Sequence, residues 1–151
     1  MFFSIILAVL LVDQGTKAAV QMLMYQGESI SVLPPVFYLT YIMNPGAAFG
    51  ILPNQKALFI TTGLLLVIGV LAGYRKMPPE KKILRNGLGL VLGGALGNLV
   101  DRLRFGRVVD FLDFRVWPVF NLADTAIFIG VCLLAWELLK EGGKTNEGSE
   151  H

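Results

Sequence analysis

The sequence predicts an all-α membrane protein of four transmembrane helices, and its composition and apolar patterning carry this prediction. Of its 151 residues, 54% are hydrophobic and 16% are charged, and the mean hydropathy is +0.63. Soluble domains carry about 25% charged residues, so the deficit indicates that lipid replaces water around much of the surface. The length fits a single domain covering residues 1–151.

Four apolar stretches are long enough, with their flanks, to cross the roughly 30 Å of bilayer hydrocarbon as helices. The second contains no charged residue, and the third is rich in glycine. They run from Phe2 to about Tyr25, from Ala57 to Tyr74, from Ile83 to about Val100, and from about Leu122 to Trp136 or slightly beyond.

The first stretch could be a secretory signal peptide, but two features argue against this. No basic region precedes it, and it leads into Asp13 and Lys17 rather than into a clear small-residue cleavage site. We therefore expect a retained helix.

The segment that joins the first two helices predicts strands rather than a helix. Residues 29–32 alternate polar and apolar side chains, and residues 36–42 are rich in β-branched and aromatic side chains. Pro34-Pro35 and Asn44-Pro45-Gly46 supply the bounding turns. The segment is too apolar for a free loop, so a small sheet on the membrane surface is expected here.

Gly89, Gly93 and Gly97 in the third helix follow the small-xxx-small spacing that lets two helices approach closely, which indicates packing. The polar end of the chain, residues 142–151, is expected to be disordered.

Basic residues predict the orientation. The link from Arg75 to Arg85 holds five basic residues and one acidic residue, so it should be cytoplasmic, together with both termini. The connections at about 26–56 and 101–120 then face outward. The second connection carries four arginines, which weakens the rule, but also three aspartates.

Several chemistries are excluded or disfavoured. The single cysteine, Cys132, permits no intrachain disulfide, and the single histidine, His151, ends the chain. A His-based triad or a His- and Cys-ligated metal site is therefore not expected, and no cofactor or metal is implied. The net charge of +2 gives no reason to expect a nucleic-acid partner.

Two charges interrupt the first apolar stretch, and charges within membrane helices are functional candidates by default. Asp13 and Lys17 lie four residues apart, so they share a helix face and can pair. A structural ion pair and a contact with substrate remain equally open on this evidence.

Asp110 and Asp124 are the most informative acids outside the first helix. Asp110 is flanked by apolar residues, where an idle carboxylate is costly, and Asp124 begins the fourth helix. The alternative for Asp110 is a charged surface loop, and the alternative for Asp124 is a helix cap. Asn121, however, can cap the helix alone, which frees Asp124. Two neighbouring carboxylates share a proton, so one can act as a base on water while the other donates to a carbonyl. On physics alone Asp101 and Asp113 remain possible, as does cation binding by three acids.

Five blocks in order resemble lipoprotein signal peptidase, also called signal peptidase II. They are DQGTK at 13–17, NPGAAFG at 44–50, GGALGNLVDR at 93–102, VVDF at 108–111 and FNLAD at 120–124. Each block alone is weak evidence, but five blocks in the same order over most of the chain are strong evidence for this resemblance.

The resemblance implies an intramembrane aspartic endopeptidase of the bacterial cytoplasmic (inner) membrane, monomeric, with its site near the outer face. It implies a diacylglyceryl-modified prolipoprotein substrate, cut just before the lipidated cysteine, and an outer sheet resting on membrane lipid. It makes Asp110 and Asp124 the catalytic pair. The residues that it implies support or line the site are Asp13, Lys17, Asn44, Gly46, Asn98, Asp101, Arg102, Asn121 and Ala123.

Three rival functions explain less of the sequence. A small transporter or channel could use Asp13 but leaves Asp110 and Asp124 without purpose. Prepilin- or presenilin-like proteases carry a Gly-x-Gly-Asp motif, whereas Leu90 follows Gly89 here. A non-catalytic scaffold leaves the polar motifs unexplained.

The predicted orientation can be tested by cysteine labelling in a Cys132→Ser background. A cysteine at Lys81 should be shielded from an impermeant thiol reagent in intact cells, whereas one at Asn54 should react. The reverse labelling pattern would invert the predicted topology.

Overall fold

Four helices form the membrane-crossing body of the molecule. The computed structural model describes residues 1–46 and 55–147, with side chains described up to residue 140. The helices are α1 (Phe2–Leu23), α2 (Lys56–Tyr74), α3 (Lys82–Phe105) and α4 (Leu122–Glu147). Each is long and apolar enough to cross a membrane, α4 over Leu122–Lys140, which confirms the four predicted spans.

Helix α3 lies at the centre of this body and packs against α1, α2 and α4. Eleven of its residues are buried, whereas Val70 is the one buried residue of α2. Helix α2 therefore packs mainly on α3 and presents most of its apolar surface outward, as expected for a helix in contact with lipid.

Glycines allow the close approach of α3 to its neighbours on two faces. Side chains at Gly89 and Gly93 would meet Ile5 and Val9 of α1, and one at Gly97 would meet Asp13. A side chain at Gly94 would instead meet the backbone of Ala123 in α4. The packing role predicted for the glycine series is therefore confirmed, with α1 as the partner of the predicted row.

A three-stranded antiparallel sheet lies beside the helices, in the order β1-β2-β3. Its strands are β1 (Ser29–Leu33), β2 (Phe37–Asn44) and β3 (Val108–Asp113). The first two are the strands expected between α1 and α2. The third strand was not predicted, because the aspartates in this segment are typical of a polar loop and the sequence does not show that β2 pairs with it.

The predicted end of the third helix was also wrong. The helix continues past Val100 to Phe105, because Asp101 is buried and paired rather than solvated. It stops at Gly106, whose φ of 73° lies in the left-handed region and whose N–H donates to the carbonyl of Arg102 at 3.0 Å. The connection to α4 therefore begins about five residues later than expected.

Three expectations fall wholly or partly outside the described residues. The block 44–50 is described as far as Gly46, and Asn54 lies outside the described ranges. The backbone of α4 is helical as far as Glu147, beyond the start of the polar end at residue 142. Disorder of that end stays a prediction.

The α3–α4 approach predicts that Gly94→Ala destabilises the protein. The new methyl group would meet the Ala123 carbonyl oxygen and lie 2.8 Å from Ile127 Cγ1. Overpacking of this kind costs about 1–3 kcal/mol, so thermal unfolding in detergent should occur at a lower temperature. Gly69→Ala is the matched control, because nothing lies within 4 Å of its added methyl. Equal melting temperatures for the two variants would contradict the packing described.

Candidate active site

Asp110 and Asp124 line one cavity of about 790 Å³. Asp110 lies in the middle of β3, and Asp124 lies in the first turn of α4. The cavity is mostly apolar, with Ile127, Phe128 and Val131 continuing along α4 from Asp124. The fold thus brings two carboxylates from different elements to one apolar recess.

Asparagine side chains supply both oxygens of Asp110 with a donor. Nδ2 of Asn44, at the end of β2, donates to Oδ2 at 2.9 Å, and Nδ2 of Asn121 donates to Oδ1 at 2.6 Å. The Asn44 amide is oriented by its own Oδ1, which accepts the N–H of Gly46 at 2.9 Å. Arg102 in turn donates to the carbonyl of Gly46 at 3.4 Å.

Asp124 shares the helix cap with Asn121 instead of leaving it to Asn121 alone. Oδ1 of Asn121 accepts the backbone N–H of Asp124 at 2.9 Å, and Oδ2 of Asp124 accepts the backbone N–H of Asn121 at 3.3 Å. This is the reciprocal capping arrangement. Oδ1 of Asp124 accepts Nδ2 of Asn98 at 2.8 Å. The expectation that Asn121 caps the helix alone was therefore wrong, because Oδ2 of Asp124 takes part in the cap.

A chain of amides connects the two aspartates. Asn98, which binds Asp124, accepts Nδ2 of Asn121 on its own Oδ1 at 3.1 Å, and the same Asn121 nitrogen reaches Asp110. Each amide therefore contacts one carboxylate and the other amide. Since both donors are uncharged, they orient the carboxylates without neutralising them.

A buried ion cluster lies next to these amides. Lys17 Nζ is 2.9 Å from Asp13 Oδ2 and 3.0 Å from Asp101 Oδ2, and it donates to Asn98 Oδ1 at 3.0 Å. Relative exposure is 0% for Asp13, 2% for Lys17 and 1% for Asp101. The predicted pairing of Asp13 with Lys17 is confirmed. Lys17 also pairs with Asp101, which the sequence spacing did not predict.

Each carboxylate of this cluster also holds the backbone beside one cavity aspartate. Oδ1 of Asp13 accepts the N–H of Ala123 at 2.9 Å, one residue before Asp124. Oδ2 of Asp101 accepts the N–H of Val109 at 3.0 Å, one residue before Asp110. The cluster therefore fixes the backbone on which both aspartates are carried.

Gln14 is a member of this network that the sequence reasoning missed. Its Nε2 donates to Asp101 Oδ1 at 2.9 Å and to Asp13 Oδ2 at 3.2 Å. The available signal was a polar amide next to Asp13 within an apolar helix, but nothing in the spacing distinguished it from a surface residue.

Asp113 lies apart from the cavity. Its Oδ2 accepts Thr40 Oγ1 at 2.7 Å, and its Oδ1 accepts the backbone N–H of Arg115 at 2.9 Å. These contacts tie β3 to β2 and to the following turn, which is a structural use of the carboxylate. Within the described residues, no group of three His, Cys, Asp or Glu side chains is placed to hold a metal ion.

Burial raises the pKa of Asp110 to about 7, and the negative charge of Asp124 adds to this rise. The hydrogen bonds from Asn44 and Asn121 oppose it. A carboxyl group that takes up or releases a proton near neutral pH suits acid–base chemistry.

The fold and these contacts define a multi-pass membrane protein with a two-carboxylate site. The sequence pattern of the family described as signal peptidase (SPase) II matches residues 5–140. A lipoprotein signal peptidase of Pelotomaculum thermopropionicum is 68% identical over 145 residues, 96% of this chain and 95% of the relative. One from Moorella thermoacetica is 52% identical over 143 residues, 95% of each chain.

Two solved structures of bacterial membrane enzymes have folds similar to that of this chain. A bacterial membrane enzyme determined by the in meso method at 2.3 Å resolution superposes with a TM-score of 0.90 at 32% identity, covering 99% of this chain and 92% of that one. A second, at 1.9 Å resolution, gives a TM-score of 0.85 at 34% identity, with 92% of each chain covered. The chain belongs to the signal peptidase II family.

The pKa of Asp110 predicts a pH-dependent stability. The folded protein keeps a proton on Asp110 up to about pH 7, whereas the unfolded carboxyl releases it near its ordinary pKa of 3.8. Stability contributed by this proton is therefore lost as pH rises from about 4 to about 7, on the order of 4 kcal/mol for three pKa units.

We expect the melting temperature to fall over this pH range by more in the parent than in Asp110→Asn, because asparagine does not titrate. Thermal unfolding in detergent at several pH values measures the difference. The melting temperature of Asp113→Asn should change with pH as that of the parent does, between about pH 5 and pH 8. Parallel curves for the parent and Asp110→Asn would contradict the assigned proton.

Proposed function

We propose that Asp110 and Asp124 are the catalytic pair with which this signal peptidase hydrolyses its substrate. The observation that carries the proposal is their common position in one apolar cavity, linked through Asn98 and Asn121. Members of the signal peptidase II family remove signal peptides from prolipoproteins during lipoprotein maturation, and this chain does so as a member of that family.

The proposed reaction uses one proton shared between the two carboxylates. The ionised carboxylate removes a proton from a water molecule, whose oxygen forms a bond to the scissile carbonyl carbon. The protonated carboxyl group donates to the carbonyl oxygen, which gives a tetrahedral intermediate. Collapse of the intermediate breaks the C–N bond. The leaving amine takes up the proton that the base removed from water, and one hydroxyl group of the intermediate returns a proton to the carboxylate that acted as the acid.

The supporting residues keep this pair in place. Asn44, Asn98 and Asn121 orient the carboxylate oxygens, and the Asp13–Lys17–Asp101 cluster fixes the backbone. Positions held before the reaction starts lower the entropy cost of reaching the attack geometry.

Arg102 is the charged group best placed to meet the substrate backbone at the cavity wall. Its guanidinium is partly buried, lies 4.8 Å from the ring centroid of Phe59 and lines the same cavity as the two aspartates. The Gly46 carbonyl that it contacts lies at the same wall.

The proposed substrate is a diacylglyceryl-modified prolipoprotein, cut just before the lipidated cysteine. The apolar wall formed by Ile127, Phe128 and Val131 suits an acyl chain or a signal-peptide helix arriving from the lipid. Each buried CH₂ contributes about 0.8 kcal/mol of membrane affinity, so two acyl chains hold the cysteine at the bilayer surface.

The orientation is part of the same proposal. The basic link between α2 and α3 and both termini lie in the cytoplasm, while the sheet and the cavity lie at the outer face of the bacterial cytoplasmic membrane. We also propose that the protein acts as a monomer, because one chain supplies both aspartates, their asparagine donors and the ion cluster beside them.

A transporter function is less well supported. It would use Asp13 as a charge that changes partners within the membrane, but Asp13 is fully buried, pairs with Lys17 and accepts the N–H of Ala123. These contacts occupy both of its oxygens.

The catalytic assignment predicts that Asp110→Asn and Asp124→Asn each lose nearly all activity. General acid–base catalysis contributes about 10²- to 10⁴-fold, and asparagine cannot exchange the required proton. The assay is cleavage of a lipidated prolipoprotein by purified protein in detergent, with folding checked by thermal unfolding. Asp113→Asn is the matched control and should be far milder. Substantial turnover by either cavity variant would end the assignment, and an inactive Asp113→Asn would indicate that the wrong acid was chosen.

The membrane-anchoring argument predicts that the diacylglyceryl group is required for cleavage. A prolipoprotein of the same peptide sequence with an unmodified cysteine should be cut poorly or not at all, because its scissile bond is not held at the depth of the site. Side-by-side cleavage in the same lipid measures this requirement, and equal rates would show that the enzyme recognises the peptide alone.

A further inference from the structure

Gln14 lies between the two carboxylates of the buried ion cluster. Its Nε2 donates to Asp101 Oδ1 at 2.9 Å, to Asp13 Oδ2 at 3.2 Å and to the carbonyl oxygen of Gly97 at 3.2 Å. An amide nitrogen carries two hydrogens, so the three acceptors share them. The amide thus attracts both carboxylates without adding a charge.

The charges of the cluster explain why such a donor is needed. Asp13 and Asp101 carry two negative charges and Lys17 carries one positive charge, all within buried surroundings. Like charges repel strongly when little water screens them. Lys17 offsets part of this repulsion, and Gln14 donates to the same two carboxylates through a neutral group.

Each of these carboxylates controls a different part of the site. Asp13 holds the backbone beside Asp124, and Asp101 holds the backbone beside Asp110. A displacement of Asp13 relative to Asp101 would therefore change the separation of the two cavity aspartates.

We propose that Gln14 is a positioning residue, which bridges Asp13 and Asp101 and so keeps the segments that carry Asp110 and Asp124 in register for the reaction. Gln14 is absent from the cavity lining, so it acts through these contacts rather than by touching substrate. The proposal rests on the assignment of Asp110 and Asp124 as the catalytic pair.

Two variants test the bridge. Gln14→Met removes the donor while keeping the length of the side chain, and Gln14→Asn keeps the amide but shortens its reach. We expect kcat per folded molecule to fall at least about tenfold for Gln14→Met, with KM changed by less than about twofold, because the reacting groups and not the binding surface are displaced. Gln14→Asn should fall in the same direction, and it serves alone if Gln14→Met does not fold.

Gln21→Met is the matched control, since it makes the same chemical change two helical turns along α1. The side chain of Gln21 makes no hydrogen bond to the described residues. Its kcat and KM should equal those of the parent.

The pH–rate profile supplies a readout that a purely structural role would not move. Each cavity carboxylate raises the other's affinity for a proton according to their separation. The two limbs of the profile should therefore shift in the Gln14 variants and stay in place for Gln21→Met.

The outcomes separate this proposal from the assignment on which it rests. If Asp110→Asn or Asp124→Asn is active in the same assay, both proposals fall together. If both are inactive while the Gln14 variants keep a normal kcat and pH profile, the bridge alone is overturned. A kcat loss in Gln21→Met equal to that in Gln14→Met would overturn it as well.

Discussion

A buried cation, Lys17, determines how the site of this membrane protein is assembled. Its ammonium group lies 2.9 Å from one carboxylate and 3.0 Å from another, and all three side chains are almost completely removed from solvent. An unpaired charge in such a position is strongly destabilising, so the contacts with these two carboxylates stabilise the folded state. Because one carboxylate lies on α1 and the other on α3, this requirement fixes the two helices relative to each other.

The remaining features of the site depend on that arrangement. The same carboxylates accept backbone N–H groups from Val109 and Ala123, which join β3 and the start of α4 to the helical body. Asn98 then links Lys17 to Asp124. The polar network thus ends at a mostly apolar cavity, and electrostatic effects on carboxylates are strong in apolar surroundings.

Local signals in the sequence predicted most of this architecture. The four spans followed from hydrophobicity, the first two strands followed from β-branched residues between proline and glycine turns, and the Asp13–Lys17 pair followed from helical spacing. These features depend on residues close together in the chain, so the sequence carries their signals directly.

The features that the sequence did not reveal depend on distant partners. Strand β3 forms because β2 offers it an edge, and Asp101 stays helical because Lys17 lies opposite. Gln14 and Asp101 lie 87 positions apart in the sequence, and no local pattern encodes their contact.

The measurement that tests the central role of Lys17 most directly is a double-mutant cycle of Asp13→Asn and Asp101→Asn, followed by melting temperature and by cleavage of lipidated prolipoprotein. Each single variant leaves Lys17 with one carboxylate, while the double variant leaves it with none at a cost of about 3–5 kcal/mol. The account predicts that the double variant is far less stable and less active than the sum of the single effects, and simple additivity would contradict it.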